Sequence, residues 1–233
     1  MSLRFFLAMT EAEIRSCSAL PRNLAYMACH FSPYGCGLVN IPDRLPPNSL
    51  LIVNDRVPVV RHDPQLVARQ LLNAVQKMRL FGVLMDLQIP ENSQTAQIVK
   101  QVTSTLPCPV AVTEAYADGL SCPIFGSPPV YTSLKNYKES KKDRPLWLET
   151  FQETTLLTIS STGCKASAGD PLSGKHFFDE ALHCKYQFCI NKEYAHFTLS
   201  RQVDDIPGYL QLAASLGIDI AVGLYQQFRN STI

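Results

Sequence analysis

Residues 62–113 read HDPQLVARQLLNAVQKMRLFGVLMDLQIPENSQTAQIVKQVTSTLPCPVAVT, and the order of elements in this stretch decides the fold. It opens with a helix start, because Asp63 can accept from the exposed first-turn amides and Pro64 fits the first helical position, where its missing N–H is not needed. Val67, Leu71, Ala74, Val75 and Met78 recur at three- and four-residue steps, the stripe of a helix buried on one side, which should run to about Leu80. Gly82 then permits a turn into the apolar run Val83-Leu84-Met85-Asp86-Leu87. Ser93 is placed to cap a second helix, whose Ile98, Val99, Val102 and Leu106 form a similar stripe before Pro107 ends it, and Pro109–Thr113 is the next strand. Strands that are apolar on both faces and alternate with helices belong to a parallel sheet covered on both sides.

Working outward, the same reading places strands at Arg4–Met9, Leu24–Phe31 and Leu50–Val53 on the N-terminal side. Pro123–Phe125, Leu146–Leu148 and Ile218–Leu224 follow on the C-terminal side, the last after a helix at Pro207–Leu216. Strand ends near Asp55, Asp86 and Glu114 lie about thirty residues apart, the repeat of a strand with its crossover helix. Eight strands of this kind predict an α/β fold, a parallel (β/α)8 TIM-like barrel occupying residues 1–233 as a single domain. Two departures from a regular barrel are expected. Ser32–Asn48, broken by four prolines, should be a long loop after strand two, and residues 154–200 should form a small antiparallel insertion before the last βα unit. Its strands are Thr154–Ser160, Tyr186–Ile190 and His196–Ser200, the last two joined by the turn Asn191-Lys192-Glu193.

Composition narrows the function. Twenty-one basic and 20 acidic residues leave a formal charge of +1, too weak a field to draw in nucleic acid or an anionic membrane. The run Lys138–Arg144 is interrupted by acids and reads as a solvated loop. The apolar start Met1–Met9 is shorter than a signal-peptide core, and Ile206–Phe228 is too interrupted by glycine and Asp219 to span a membrane. A soluble, cytoplasmic chain of bacterial type is expected, with its eight cysteines reduced and mostly buried. No CxxC pair, P-loop, Gly-x-Gly-x-x-Gly or nucleophile elbow occurs, so no metal and no cofactor is expected; Gly35-Cys36-Gly37 reads as a plain turn, and oligomeric state is not legible.

The site of a parallel barrel lies at the carboxyl ends of its strands. Those ends supply His30, Asp55, Asp86 with Gln88, Glu114 with Tyr116, Ser127, Glu149, and Tyr225 with Gln226. Of these, Asp55, Asp86, Gln88, Tyr116, Tyr225 and His30 are the candidate ligand-binding residues. A polar mouth of this kind suits a hydroxyl-rich ligand, and Tyr34, Tyr116 and Tyr225 are placed to stack on sugar rings, whereas Trp147 reads as core. Glu114 is the candidate catalytic acid, with Glu149 or Tyr116 as its partner.

The segment Phe81-Gly82-Val83-Leu84-Met85-Asp86-Leu87-Gln88-Ile89-Pro90 resembles the fourth-strand signature of chitinase-like glycoside hydrolases, family 18. That pattern is Asp-Gly-x-Asp-x-Asp-x-Glu, often followed one residue later by proline. Gly82, Asp86 and Pro90 match it, while Phe81 and Leu84 replace its first two aspartates and Gln88 replaces its catalytic glutamate. The resemblance implies a TIM barrel that takes an acetamido sugar. In the family the glutamate protonates the glycosidic oxygen while the preceding aspartate assists the substrate's acetamido group. Gln88 has no proton acidic enough for that task. The expected function is therefore binding of a carbohydrate or similar small molecule without cleavage by the family route. An acid-base hydrolase centred on Glu114, or a non-catalytic scaffold whose mouth the insertion plugs, are the alternatives.

Overall fold

The computed structural model describes residues 3–56, 61–142 and 144–229. Eight parallel strands close into a barrel: β1 (Arg4–Met9), β2 (Leu24–Phe31), β4 (Leu50–Asn54), β5 (Gly82–Asp86), β6 (Val110–Thr113), β7 (Ile124–Gly126), β8 (Leu146–Thr150) and β14 (Ile220–Leu224). β1 pairs with both β14 and β2, which completes the circle and leaves the barrel without a free edge. The short β3 (Leu38–Val39) hangs antiparallel on the outer end of β2, so the expected Ser32–Asn48 loop contains one two-residue pairing.

The helices are uneven, which is what makes the barrel irregular. α2 (Pro64–Met78) and α3 (Ser93–Thr105) are full helices, and α1 (Glu11–Ser16), α4 (Leu134–Ser140), α5 (Ile206–Ser215) and α6 (Tyr225–Phe228) are shorter. After β6 there is only a 3-10 turn, Glu114–Tyr116. The Asp63 carboxylate accepts from the Gln65 amide as expected, and the predicted stripe of α2 is buried against the sheet. For α3 the cap is one residue earlier than expected: Asn92, not Ser93, accepts from the Thr95 amide. The Lys138–Arg144 run is not a free loop among its described residues, Asp143 lying outside them. Lys138 donates to the Leu216 carbonyl, Lys141 pairs with Glu114, and the Arg144 guanidinium donates to the carbonyls of Ala117, Leu120 and Cys122.

Between β8 and α5, residues 153–201 form a separate antiparallel sheet of five strands. In spatial order these are β10 (Gly163–Ala168), β9 (Glu153–Ser160), β13 (Tyr194–Arg201), β12 (Cys184–Ile190) and β11 (Phe177–Asp179). Two of them, β10 and β11, were not foreseen. The buried Arg201 ties this sheet to the barrel, donating to Glu153 at 3.0 Å and to the Leu182 carbonyl at 3.0 Å, with its guanidinium 3.9 Å above the Tyr209 ring of α5.

Inside the barrel, alternate residues of each strand point to the axis. Phe6, Leu50, Leu84, Phe125, Trp147 and Val222 form one buried cluster there, and the Phe81 ring packs at a tilt against Phe6 and Trp147 at its lower end. Trp147 is therefore core, as expected. Gly82 is confined by this packing, because a Cβ at that position would lie 2.7 Å from the Pro109 carbonyl and 3.2 Å from the Trp147 ring. Gly82→Val should accordingly lower stability by about 1–3 kcal/mol in urea unfolding; an unchanged midpoint would show that the lower barrel has slack this packing does not reveal.

Candidate functional site

A cavity of about 370 Å³ opens at the carboxyl ends of the strands, above the Trp147 cluster. That volume lies at the small end of the range for ligand pockets. Its apolar wall includes Met27, Ile52, Leu84, Phe125, Phe151 and Val222, and its polar groups are Asn54, Arg56, Asp86, Gln88, Glu149, Thr150 and Gln227.

Strand register explains these polar groups. In β5 the interior positions run from Gly82 through Leu84 to Asp86. In β4 they run through Leu50 and Ile52 to Asn54, which is directly opposite Asp86 in the β4–β5 pairing. In β8 they run from Trp147 to Glu149, which is opposite Val222 of β14. The first residue above the apolar layers is thus polar on three strands. Asn54 also repairs an irregularity: where the β2–β4 register shifts between Tyr26 and Cys29, its side-chain amide donates to the carbonyls of Met27 and Cys29, each at 3.1 Å.

Of the residues expected from the sequence, Asp86 and Gln88 line this cavity, and they touch: the Gln88 amide donates to Oδ1 of Asp86 at 2.5 Å. Asp55 does not line it. Its buried carboxylate accepts from the backbone amides of Gln88 and Ile89, both at 2.9 Å, and so fixes the backbone that carries Gln88. Tyr116 plays a similar part, its buried hydroxyl donating to the carbonyls of Ile89 and Pro90 at 3.0 and 3.2 Å. Thr113 completes the clamp by accepting from the Leu87 amide and donating to the Met85 carbonyl. Loop 87–90 is thereby held by five hydrogen bonds, from Asp55 after β4, Thr113 of β6 and Tyr116 of the 3-10 turn.

Glu114 is also outside the cavity. The 3-10 turn carries it outward, where Lys141 pairs with it and the Tyr137 hydroxyl donates to it at 3.3 Å. His30 uses Nδ1 on the Phe31 carbonyl and Nε2 on the Asn40 amide beside β3. Tyr225 reaches the Cys17 thiol at 3.7 Å, and Tyr34 stands almost fully exposed in the loop before β3. None of the insertion, residues 153–201, lines the cavity, so the mouth is not plugged by it. The sequence reading placed Glu149 among the strand-end residues and as a partner for Glu114, and it missed Asn54, Phe125, Phe151 and Gln227 as lining residues. The cysteines are less buried than expected, with three buried, two half-buried and three exposed, all unpaired. Among the described residues no group of three or more His, Cys, Asp or Glu is placed to hold a metal ion, and no helix is long and apolar enough to cross a membrane.

The two carboxylates differ in their surroundings. Burial raises Asp86, but the Gln88 amide bond opposes this, and Asp55 and Arg56 act in opposite directions. Glu149 has no hydrogen bond or ion pair among the described residues. Burial first, and then the charges of Asp86 and Glu153, push its carboxyl up to about 7. Burial thus pushes both carboxyls above their ordinary range, and Glu149 does without the side-chain donor that Asp86 has in Gln88.

Fold and mouth together define a closed (β/α)8 barrel whose carboxyl-end cavity carries a divided pair of carboxyl groups. Its architecture is that of chitinase-like glycoside hydrolases. The family 18 N-acetylglucosaminidase of Paenibacillus barengoltzii aligns over 98% of this chain and 96% of its own, with a TM-score of 0.57 and 9% identity. A mutant family 18 chitinase from Cycas revoluta, in complex with (GlcNAc)4, aligns over 96% and 95%, at 0.55 and 12%. The spore cortex-lytic enzyme SleL of Bacillus cereus aligns over 98% and 73%, at 0.54 and 10%. No protein-family model and no curated protein matches the sequence. At such identities the likeness is one of fold.

The Glu149 environment has a measurable consequence. A glutamate whose folded-state pKa is raised binds more protons folded than unfolded between about 4.5 and 7, so stability falls as pH rises through that window and stays reduced above it. Glu149→Gln should remove this slope and stabilise the protein by on the order of 1–3 kcal/mol at about pH 8, with little change near about pH 4. Parallel wild-type and mutant pH–stability curves would contradict the assignment.

Proposed function

We propose that this chain binds an acetamido glycan in the barrel-mouth cavity and that the cleavage route of family 18 is closed to it. The observation that carries this reading is the Asp86–Gln88 contact inside the cavity. One amide hydrogen of Gln88 is engaged by Oδ1 of Asp86, which leaves Oδ2 free to accept a sugar N–H or hydroxyl and the Gln88 carbonyl free to accept a second. Phe125 and Phe151 supply apolar surface against which the CH face of a pyranose ring packs. At the position of the family's proton donor there is only an amide.

The comparisons support the ligand class. The Paenibacillus protein is an N-acetylglucosaminidase, and the Cycas mutant, which carries a glutamate-to-glutamine change, holds (GlcNAc)4. The open mouth and the absence of insertion residues from its lining favour a ligand site over a vestigial scaffold. Glu114, tied down by Lys141 and Tyr137 outside the cavity, has no place in this reading.

Isothermal titration calorimetry with (GlcNAc)4 tests it. The wild type should bind, and Asp86→Ala should weaken binding by roughly tenfold or more, the effect of losing a hydrogen bond to a charged group. No heat from the wild type, or equal affinity in the mutant, would remove this cavity as the glycan site.

A further inference from the structure

The antiparallel sheet of residues 153–201 has two unlike faces. Its pairings put Phe188, Phe197, Leu157 and Ala166 in one row across the sheet, and Ile190, Ala195, Ile159 and Cys164 in the next row on the same side. Gln187, Thr198, Thr158 and Lys165 mark the opposite, polar side. At the end anchored to the barrel, Val130 and Leu182 pack on the apolar side. Beyond them it is open, with Phe188 50%, Ile190 65% and Ile159 42% exposed and β10 exposed along its length. A sheet with one apolar face is stabilised by a second layer on that face, and the described residues of this chain provide one only at the anchored end. We propose that a second copy of the chain provides the rest, the two apolar faces packing against each other in a symmetric dimer.

Charge and shape both select a second copy as the occupant. The two open rows carry no charged side chain, so they offer a partner no charge to match and suit an equally neutral face. The face also slopes. Phe177, Tyr186 and Phe188 on β11 and β12 stand high at one side, and Cys164, Ala166 and Ala168 on β10 lie low at the other. A two-fold axis running along the strands lays the high side of each copy over the low side of the other, which makes the face complementary to itself. The three rings brace one another with centroids between 5.5 and 6.4 Å apart, so the high side is already ordered before it docks.

The area sets the strength. Half-exposed rings of about 200 Å² each, with Ile190, Ile159 and the β10 side chains, give an open patch on the order of 500 Å² per copy. Two such patches bury about 1,000 Å² in all, the lower limit for a specific interface. The dimer is therefore a weak one that exchanges with monomer, with a dissociation constant of about 1–100 μM. Because no residue of the sheet lines the barrel cavity, the assembly does not depend on what the mouth binds.

Sedimentation velocity over about 1–300 μM tests the proposal. The wild type should pass from monomer to dimer across this range and should do so equally in about 0.5 M NaCl, since no ion pair holds the contact. Phe188→Glu combined with Ile190→Glu places carboxylates in the apolar contact and should leave monomer throughout, a loss of roughly 100-fold or more in affinity. Ile159→Glu repeats the test from β9, whereas Lys165→Glu on the polar side should dimerise as the wild type does. Melting curves at about 1 μM, where all are monomeric, should agree within a few degrees and show that each variant is folded. A wild type that stays monomeric to about 300 μM, or a dimer that survives both the double substitution and Ile159→Glu, would overturn the proposal.

Discussion

Everything at the mouth of this barrel follows from the two-residue period of its strands. Closure through the β1–β2 and β1–β14 pairings leaves no edge at which a strand can slip. A shift of one residue would turn Leu84 and Trp147 outward and place Met85 and Leu148 on the axis. With the register fixed, the apolar layer of Ile52, Leu84 and Val222 above Trp147 ends at a definite height. Asn54, Asp86 and Glu149 are then the first groups above it. A buried carboxylate with few donors is costly, so the fold holds Asp86 and Glu149 where an apolar side chain would be more stable.

The second constraint is the clamp on loop 87–90. Asp55, Thr113 and Tyr116 come from the ends of β4 and β6 and from the 3-10 turn, and they spend their polar groups on the backbone of residues 85–90. Gln88 is consequently held where its amide meets Asp86. Fixing one side chain through the hydrogen bonds of its neighbours is how a site reaches the positional precision that binding and acid-base chemistry require.

The eight strands, the two long helices and the insertion were legible in the sequence because apolar runs, caps and three-four stripes are local signals. Which strand-end residue faces the axis was not. Parallel strands buried on both faces carry no alternation, so Asn54 and Asp55 are indistinguishable by pattern, while Gln226 and Gln227 are neighbours in the single turn of α6. In each pair the residue that lines the cavity, Asn54 or Gln227, is the one the reading passed over. Glu114 stands outside the cavity for a different reason: Lys141 and Tyr137, more than twenty residues away, hold its side chain. Asp86, Gln88 and Glu149 were all named as strand-end residues, the first two also through the family resemblance, and all three line the cavity.

Binding of an acetamido glycan in the mouth, against Asp86 and Gln88, is the central proposal about this barrel, and it has a geometric form. A crystal structure with (GlcNAc)4 tests it most directly. A sugar should lie over the Trp147 layer with its acetamido N–H or a hydroxyl on Asp86. A glycan bound away from the mouth, or bound there without contact to Asp86, would contradict it.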